Sequence, residues 1–233
     1  MLSLVIPAYN ERAVILETAK TAIAVMSEKY AGWELIFVND GSTDDTLRLL
    51  QKIENENVHI ISYAQNRGKG YAVREGVLAA KGDLIFYTDA DLAYGLDVIG
   101  TAAAILENTE ADIAAGSRKL DREAYKKYPP VRRLLSHCFA LGSRVISGMN
   151  YDTQCGLKGF KREAALAVFS RCEEERFAFD FEIMLTSEIL GLNVAEIPVR
   201  IVNHRESKIR IMRDSIRMAR DVLRIKKRIR GAL

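Results

Sequence analysis

Residues 34–44 read ELIFVNDGSTD, and this stretch decides the fold of the chain. After a single glutamate come four apolar residues, and a polar, turn-forming run follows them directly. A short, uninterrupted apolar run is typical of a strand in a parallel sheet that is covered on both faces. Ser42 or Thr43 is then expected to cap a helix, with Asp44 and Asp45 in its first turn.

The same succession of strand and helix continues on both sides of this stretch. Short apolar runs predict five strands, at Leu2–Ile6, Glu34–Val38, Val58–Ile61, Leu84–Tyr87 and Ile113–Ala115. Helical periodicity lies between them, at Arg12 to Ser27, Thr43 to Ile53, Tyr71 to Ala80 and Leu96 to Leu106. This alternation predicts an α/β domain with an open, mostly parallel sheet of the Rossmann type, joined by right-handed crossovers and covered by helices on both faces.

The pattern changes in the second half of the chain. Tyr128-Pro129-Pro130 interrupts it, and a partly extended, glycine-rich stretch runs from Gly148 to Phe160. Further helices are predicted at Val131 to Ile146, Arg162–Phe169, Phe181–Leu190 and about Ser207 to Arg230, with a strand at Asn193–Val199. Because no repeat or low-complexity linker marks a second domain, we predict one domain over residues 1–206 and an amphipathic C-terminal helix over residues 207–233.

Composition is that of a globular protein, with 48% hydrophobic and 28% charged residues. No apolar run approaches the roughly 18 to 20 residues that cross a bilayer. The N-terminus lacks a basic region and its apolar run stops at Pro7, so we do not expect a signal peptide. Cys138, Cys155 and Cys172 lack Cys-x-x-Cys spacing, which favours reduced thiols and a cytoplasmic location.

Charge is distributed unevenly along the chain, although the net charge is only +3. Residues 1–116 hold 9 Lys/Arg and 17 Asp/Glu, whereas residues 117–233 hold 25 Lys/Arg and 14 Asp/Glu. Solvated faces explain most scattered charge. A segregation this strong also fits a basic surface that faces a phosphate, a membrane or a nucleic acid.

Candidate binding residues follow the predicted strands, because an open parallel sheet binds ligands beyond the carboxyl ends of its strands. The five loops read Pro7-Ala8-Tyr9-Asn10-Glu11, Asn39-Asp40-Gly41-Ser42-Thr43-Asp44, Gln65-Asn66-Arg67-Gly68-Lys69-Gly70, Asp89-Ala90-Asp91 and Gly116-Ser117-Arg118. All five are expected at one edge of the sheet. That common location is more informative than any single loop.

Asp89-Ala90-Asp91 is the candidate metal site. Two carboxylates separated by one residue at a strand end can share a hard cation that also binds diphosphate oxygens. Capping of a helix by Asp91 is the alternative, since the D-x-D pattern occurs in many unrelated proteins. Asp40 could accept a hydrogen bond from a base or ribose, and Gly68-Lys69-Gly70 suits either a close ligand or a simple turn.

As a set, these segments resemble the GT-A family 2 glycosyltransferases in order and spacing. The second half resembles the polyprenyl-phosphate sugar synthases, especially the dolichyl-phosphate glucose synthases. The matching residues there are Gly116-Ser117-Arg118, Arg132 with Ser136, Asp152-Thr153-Gln154-Cys155-Gly156-Leu157-Lys158, Phe179-Asp180-Phe181-Glu182 and Ser207-Lys208. The resemblance divides the domain into a nucleotide-sugar half, residues 1–118, and an acceptor half, residues 119–206.

This resemblance implies a role for each matched position. The nucleotide sugar would be held by Pro7, Tyr9, Glu11, Asp40, Lys69 and Ala90. Mg²⁺ or Mn²⁺ would be bound at its diphosphate by Asp89, Asp91 and, more weakly supported, Gln154. The acceptor phosphate would be held by Arg118, Arg132, Ser136 and Lys208, with catalysis resting on Asp91, Arg118 and Arg132. Arginine suits that task because its forked donors match phosphate oxygens.

The chain departs from the resemblance at two positions. Dolichyl-phosphate mannose synthases carry a glutamine two residues after the second aspartate, where this chain has Ala93, so Gln154 or water would complete the metal shell. The family's Gly-x-Ser-Lys reads Arg205-Glu206-Ser207-Lys208, which leaves the role of Arg205 open. Many relatives continue into transmembrane helices, and none is expected here.

The implied reaction is transfer of a hexose from a nucleotide sugar to a polyprenyl phosphate, with UDP-glucose favoured over GDP-mannose. The acceptor is already an anion, so direct displacement needs no strong base and would invert the anomeric centre. A family 2 transferase that extends a glycan is an alternative, and Asp180 or Glu182 could then serve as base. A non-catalytic nucleotide-sugar binder is another. A nucleotidyltransferase is disfavoured by the missing N-terminal glycine-rich loop, and a nucleic-acid binder by the acidic ligand edge.

The C-terminal helix predicts peripheral attachment to the cytoplasmic face of a membrane. Residues 208–230 contain ten Lys/Arg and two acidic residues. Helical periodicity places seven of them on one face: Arg210, Arg213, Arg217, Arg220, Arg224, Lys227 and Arg228. Two apolar stripes lie beside it, and packing of these stripes on the domain is an equally good interpretation. Both can hold, with one stripe packed and the basic face turned to anionic headgroups.

Overall fold

The computed structural model describes residues 1–121, 152–153, 155–176, 178–203, 221–222 and 224–229. These residues form one seven-stranded sheet with the strand order β3-β2-β1-β4-β6-β5-β7. The strands are β1 (Leu2–Ala8), β2 (Trp33–Asp40), β3 (Val58–Tyr63), β4 (Leu84–Tyr87), β5 (Ile113–Ser117), β6 (Lys158–Lys161) and β7 (Val194–Pro198). The α/β fold with a mostly parallel sheet is therefore confirmed.

Helices cover the sheet on both faces, as predicted. In the described residues they are α1 (Ile15–Lys29), α2 (Thr46–Leu50), α3 (Lys69–Ala79), α4 (Asp97–Asn108), α5 (Arg162–Phe169) and α6 (Phe179–Ile189). Residues 221–222 and 224–229 are also helical. No helix within the described ranges is long and apolar enough to cross a bilayer.

Alternate residues of each central strand enter different cores. Leu4 and Ile6 of β1 pack with α1 and α4 on one face, whereas Val5 packs with α3 on the other. Successive strand side chains point to opposite faces, so an uninterrupted apolar strand supplies both cores at once. This packing explains why the short apolar runs of the sequence identify the strands so well.

The sheet contains one antiparallel strand that the sequence did not predict. β6 lies between β4 and β5 and runs antiparallel to both, while the β1–β2, β2–β3, β1–β4 and β5–β7 pairs are parallel. Its four residues include two lysines and a glycine, which give no apolar run. Gly159 is required because a Cβ there would lie 2.1 Å from the ring of Phe86.

The predicted start of α2 was wrong. Neither Ser42 nor Thr43 caps the helix, which begins at Thr46. Ser42 Oγ instead accepts a hydrogen bond from the Asn10 amide at 3.0 Å, and the Thr43 amide donates to Asn10 Oδ1 at 2.8 Å. Ser42 and Thr43, which were expected to cap α2, therefore bind the loop after β1 instead.

The C-terminal helical residues pack on the α/β domain. Val222 and Ile225 are buried in a small apolar cluster with Phe181 of α6. These two residues belong to the predicted apolar stripe of Ile211, Met218, Val222, Ile225 and Ile229, and packing on the domain is confirmed for them. Arg224 and Arg228, expected on a face turned to headgroups, form ion pairs with carboxylates of the domain and remain 64% and 32% exposed. The orientation of the basic face toward headgroups stays a prediction.

Several predictions concern residues outside the described ranges. They are the helix Val131 to Ile146, the acceptor residues Arg132, Ser136 and Lys208, the metal ligand Gln154, and the residues Cys138 and Arg205. Most of the basic face of the C-terminal helix also lies there. These remain predictions.

Candidate active site

The strand order puts the switch point of the sheet between β1 and β4. From β1 the chain builds outward to β2 and β3 on one side, and β4 lies on the other side. Loops that leave two such neighbouring strands diverge, and ligands of open α/β sheets bind at this switch point. The loops in question carry Tyr9-Asn10-Glu11 after β1 and Asp89-Ala90-Asp91 after β4.

The loop after β1 is held by the loop after β2. Asn10 adopts a left-handed conformation with φ of 53°, and its side-chain oxygen accepts hydrogen bonds from the amides of Thr43 and Asp44 at 2.8 and 3.3 Å. The Glu11 amide donates to Thr46 Oγ1 at 2.8 Å. These contacts fix the backbone on which the predicted donor residues Tyr9 and Glu11 stand.

The candidate metal ligands lie together at the end of β4. Asp89 forms an ion pair with Lys69, the first residue of α3, and the side chain of Asp89 is 34% exposed. Gly156 borders it so closely that a Cβ there would lie 2.2 Å from Asp89 Oδ2. Asp91 Oδ1 accepts a hydrogen bond from the Ala93 amide at 3.1 Å.

Electrostatics at this edge favour a cation. Burial raises the pKa of Asp91, and the neighbouring negative charge of Asp89 raises it further. For Lys69, burial opposes the charge, but the carboxylates of Asp89, Asp180 and Asp91 outweigh it and raise the pKa of the lysine. Repulsion between Asp89 and Asp91 is the condition that a divalent ion relieves.

The two carboxylates fit a magnesium or manganese ion that is shared with a substrate. Among the residues that the structure describes, no cluster of three or more His, Cys, Asp or Glu side chains could hold a metal by itself. Mg²⁺ commonly binds through one or two carboxylates and takes its remaining ligands from water and substrate phosphates. Asp89 and Asp91 match that ligand set, and Gln154 lies outside the described residues.

The remaining predicted donor residues differ in accessibility. Tyr9 is 41% exposed, whereas Pro7 is buried within β1. Ala90 is buried, and its carbonyl accepts a 2.5 Å hydrogen bond from Thr18 Oγ1 of α1. The side chain of Tyr9 is thus open to a ligand, whereas those of Pro7 and Ala90 are buried, and their donor-binding role stays a prediction.

Asp40 shapes the loop that leads into α3. Its carboxylate accepts hydrogen bonds from Asn66 Nδ2 at 2.7 Å and from the amides of Arg67 and Gly68 at 2.8 and 2.9 Å. Asp40 is only 3% exposed. A role in holding a base or ribose stays a prediction, and these contacts give the residue a structural role that the sequence did not reveal.

The glycines around Lys69 are required by the protein's own chain. A Cβ on Gly68 would lie 2.4 Å from the carbonyl oxygen of Glu175, and one on Gly70 would lie 2.4 Å from that of Glu174. Real Cβ atoms do not approach oxygens so closely. Close packing of residues 174–175 therefore explains these glycines without a ligand, and a ligand at the loop stays a prediction.

Arg118 is engaged by Asp152. Nε and Nη2 of the guanidinium each lie 3.0 Å from a different carboxylate oxygen, and the Arg118 amide donates to Oδ2 at 3.1 Å. Burial alone would raise the pKa of Asp152, but the charge and hydrogen bonds of Arg118 lower it overall. The pair brings the two motifs 116–118 and 152–158 together.

A buried network that the sequence missed joins Lys158, Asp180 and Tyr87. Lys158 Nζ lies 2.6 Å from Asp180 Oδ1, which also accepts a 2.6 Å hydrogen bond from the hydroxyl of Tyr87. Lys158 is fully buried. Only its place in the matched motif 152–158 pointed to it, because a lysine in a glycine-rich stretch is usually exposed.

Glu182 is also enclosed by the chain. It is fully buried, its carboxylate accepts hydrogen bonds from the amides of Glu173 and Glu174, and it pairs with Arg228. A general base must lie within hydrogen-bond reach of the hydroxyl that it deprotonates. The burial of Glu182 and Asp180 therefore argues against the glycan-extending alternative.

Comparison with known proteins places these motifs in a family. Residues 3–169 match the sequence profile described as glycosyl transferase family 2. This match includes the loops after β1, β2 and β4 and the Arg118–Asp152 pair. The chain belongs to glycosyl transferase family 2. It is a glycosyltransferase, and the predicted resemblance is confirmed.

Relatives of this family 2 glycosyltransferase narrow the group. The dolichyl-phosphate beta-glucosyltransferase of Saccharomyces cerevisiae is 36% identical over 250 residues, which cover 97% of this chain and 74% of the relative. The human protein of the same name is 32% identical over 244 residues, covering 97% and 75%. The chain is thus similar in sequence to glucosyltransferases that are named for dolichyl phosphate.

Solved structures agree with the fold. Glucosyl-3-phosphoglycerate synthase from Mycobacterium tuberculosis, crystallised with Mn²⁺, UDP-glucose and phosphoglyceric acid, superposes with a TM-score of 0.69 at 21% identity. The alignment covers 97% of this chain and 78% of that one. A second crystal structure of that enzyme contains Mg²⁺ and UDP, and its TM-score is 0.67. At such low identity the likeness supports the fold alone.

Proposed function

We propose that this glycosyltransferase moves glucose from UDP-glucose to a polyprenyl phosphate such as dolichyl phosphate, with inversion at the anomeric carbon. The observation that carries the proposal is the pair Asp89 and Asp91 beside Lys69, at the switch point of the sheet. The names of the relatives that span almost the whole chain support glucose and dolichyl phosphate.

The donor would lie at the switch point between β1 and β4. Asp89 and Asp91 would hold Mg²⁺ or Mn²⁺, which would offset the negative charge of the departing nucleotide diphosphate. Lys69 brings a further positive charge to the same place, because its ammonium group is already paired with Asp89. Tyr9 and Glu11 would contact the nucleoside from the loop after β1.

The acceptor phosphate would be held by Arg118, together with Arg132, Ser136 and Lys208 from outside the described residues. The bidentate contact with Asp152 uses Nε and Nη2 and fixes the plane of the Arg118 guanidinium. A fixed guanidinium loses little side-chain freedom when it binds a phosphate. Asp152 therefore acts as the group that orients Arg118.

Transfer would proceed by direct displacement without a general base. The acceptor oxygen is ionised in a phosphate, so the residues need only align two anions and reduce their repulsion. Asp180 and Glu182 are buried in contacts with Lys158 and Arg228, and neither is assigned the role of a base. A single displacement step predicts that the product has the anomeric configuration opposite to that of the donor.

A donor panel tests the proposal. The purified chain is incubated with a short polyprenyl phosphate, Mn²⁺ and either UDP-glucose, UDP-GlcNAc or GDP-mannose, and lipid products are identified by mass spectrometry. We expect a hexosyl polyprenyl phosphate from UDP-glucose. Exclusive use of GDP-mannose would show that the transferred sugar is mannose and not glucose. Transfer to a glycan hydroxyl but not to the lipid phosphate would reject the proposed acceptor.

Peripheral attachment to an anionic membrane remains part of the proposal, with a revised surface. Arg224 and Arg228 contact the domain, so the electrostatic contribution is assigned to Arg213, Arg217 and Arg220. Each basic residue near an anionic surface can contribute about 1 kcal/mol. In vesicle flotation the chain should prefer anionic over neutral vesicles, and this preference should fall when the three arginines become glutamine. Equal binding to both vesicles would reject the electrostatic anchor.

A further inference from the structure

The C-terminal helix reaches a short segment that connects α5 and α6, residues 173–176. Arg224 Nη2 lies 2.6 Å from Glu174 Oε2, and Arg228 Nη1 lies 2.9 Å from Glu173 Oε2. Two arginines one helical turn apart therefore form ion pairs with adjacent glutamates of this segment. We call residues 173–176 the bridge segment.

Glu182 holds the bridge segment from inside the domain. Its carboxylate accepts hydrogen bonds from the amide of Glu173 at 3.1 Å and from that of Glu174 at 2.7 Å. Arg228 forms an ion pair with the same carboxylate. A fully buried carboxylate is stable only with such partners, so Arg228 supports the group that fixes the backbone of the segment.

The other side of the bridge segment packs against the start of α3. The amide of Tyr71 donates to the carbonyl oxygen of Glu175 at 3.1 Å. Gly68 and Gly70 leave no room for a Cβ, because the carbonyl oxygens of the bridge segment occupy that space. Lys69 lies between these two glycines, so the bridge segment packs against the backbone directly before and directly after it.

Lys69 in turn meets the candidate metal ligand Asp89. Phe179 follows the bridge segment, and its ring centre lies 5.6 Å from Lys69 Nζ. The contacts thus run without a gap from the C-terminal helix through Glu182 and the bridge segment to the ammonium group beside Asp89.

From this path we infer that Arg228 and Glu182 are positioning residues, through which the docked C-terminal helix holds Lys69 in place in the donor site. The inference rests on the proposed function only for what Lys69 binds, the diphosphate of the nucleotide sugar. If the C-terminal helix left the domain, residues 68–71 would be held less firmly. Donor binding would therefore depend on the docking of a segment that is distant in sequence.

Hydrogen exchange of the full chain tests the path without any substrate. Arg228→Ala should accelerate exchange of backbone amides in the bridge segment and in residues 68–71, including the Tyr71 amide, by about tenfold, as expected for coupled neighbours. Arg228→Lys should restore much of the protection. Lys226→Ala is the matched control, because Lys226 has the same charge and forms no ion pair with a described residue.

Steady-state kinetics supply the second arm. Arg228→Ala and Glu182→Gln should raise KM for the nucleotide sugar about tenfold and leave KM for the lipid phosphate nearly unchanged. A general loss of folded protein would instead lower the rate at saturating donor without changing either KM. Bridge-segment exchange that rises while residues 68–71 keep the wild-type rate would overturn the inference, as would wild-type exchange in both. A chain that transfers no sugar would refute the proposed function, and the exchange arm would still decide this inference.

Discussion

Two acidic pairs with the same sequence spacing have different surroundings in this protein. Asp89 and Asp91 form an edge pair beyond β4, and Asp180 and Glu182 form an inner pair in the first turn of α6. Asp89 is one-third exposed, and partial burial together with repulsion from Asp89 raises the pKa of Asp91, whereas Glu182 is fully buried. The first pair lies at the switch point of the sheet, and the second is held by contacts inside the domain.

Local backbone geometry explains the difference. On a helix, residues two apart lie on different sides, and so Asp180 turns to Lys158 and Tyr87 while Glu182 turns to the bridge segment and Arg228. In the loop after a strand, no helical turn separates the two side chains, and they can serve one site, as we propose for Asp89 and Asp91. Spacing alone therefore does not identify a metal site; the element that carries the residues decides.

The largest effect is expected at the edge pair. Asp91→Asn should lower transfer by at least about a thousandfold while the melting temperature stays near that of the wild type, because the lost group binds a cation and not the core. Excess chelator should have the same effect on the wild type. Asp97→Asn, which removes an exposed carboxylate of α4, is the matched control and should retain activity. Full activity of Asp91→Asn would end the metal mechanism.

The inner pair should show the reverse. Asp180→Ala leaves the buried ammonium group of Lys158 and the hydroxyl of Tyr87 without their shared acceptor. Breaking such a buried pair lowers the free energy of unfolding by roughly 3–5 kcal/mol, which denaturant unfolding measures. The more conservative Asp180→Asn should cost less. A variant that is as stable as the wild type but inactive would give Asp180 the catalytic role that we deny it.

Arg118 and Asp152 are mostly buried, as the inner pair is. Like the edge pair, they also belong to a proposed substrate site, here the acceptor site. Asp152→Asn should lower the free energy of unfolding at pH 7 by about 2 kcal/mol, as for a hydrogen bond to a charged group. The folded pKa of Asp152 is lowered, so its contribution is complete above the unfolded pKa of about 3.9 and is lost as pH falls through the folded value.

Unfolding series of wild type and Asp152→Asn from pH 7 to pH 2 check this sign. The difference between the two proteins should be largest at neutral pH and shrink below about pH 4. A difference that grows on acidification would contradict the assignment. In kinetics, Arg118→Ala should raise KM for the lipid phosphate more than KM for the nucleotide sugar.

The smallest effect concerns the thiol of Cys172, which directly precedes Glu173, whose amide donates a hydrogen bond to Glu182. Cys172 is buried, and burial raises its pKa to about 12, so little thiolate is present at pH 8. Alkylation of Cys172 in the native protein should therefore be slow, as peptide mass spectrometry can measure, and it should accelerate in Asp180→Ala as the region opens. Rapid labelling of the wild-type Cys172 would show that the inner region is more open than this structure.

Sequence patterns predicted the parallel strands and the ligand edge because those features depend on local apolar runs and on residues adjacent to them. β6 escaped prediction, since a Lys-Gly-Phe-Lys strand is held by pairing with β4 and β5 and not by its own composition. The cap of α2 was assigned wrongly because the decisive partner, Asn10, is more than thirty residues away. The enclosure of Asp180 and Glu182 likewise depends on groups that only the fold brings together.

Binding of Mn²⁺ in the presence of UDP tests the division between the two pairs most directly. Calorimetric titrations compare wild type, Asp91→Asn and Asp180→Asn at a temperature at which unfolding curves show all three to be folded. We predict that wild type and Asp180→Asn bind Mn²⁺ with UDP and that Asp91→Asn does not. Equal binding by Asp91→Asn and wild type, or loss of binding in folded Asp180→Asn alone, would contradict the account.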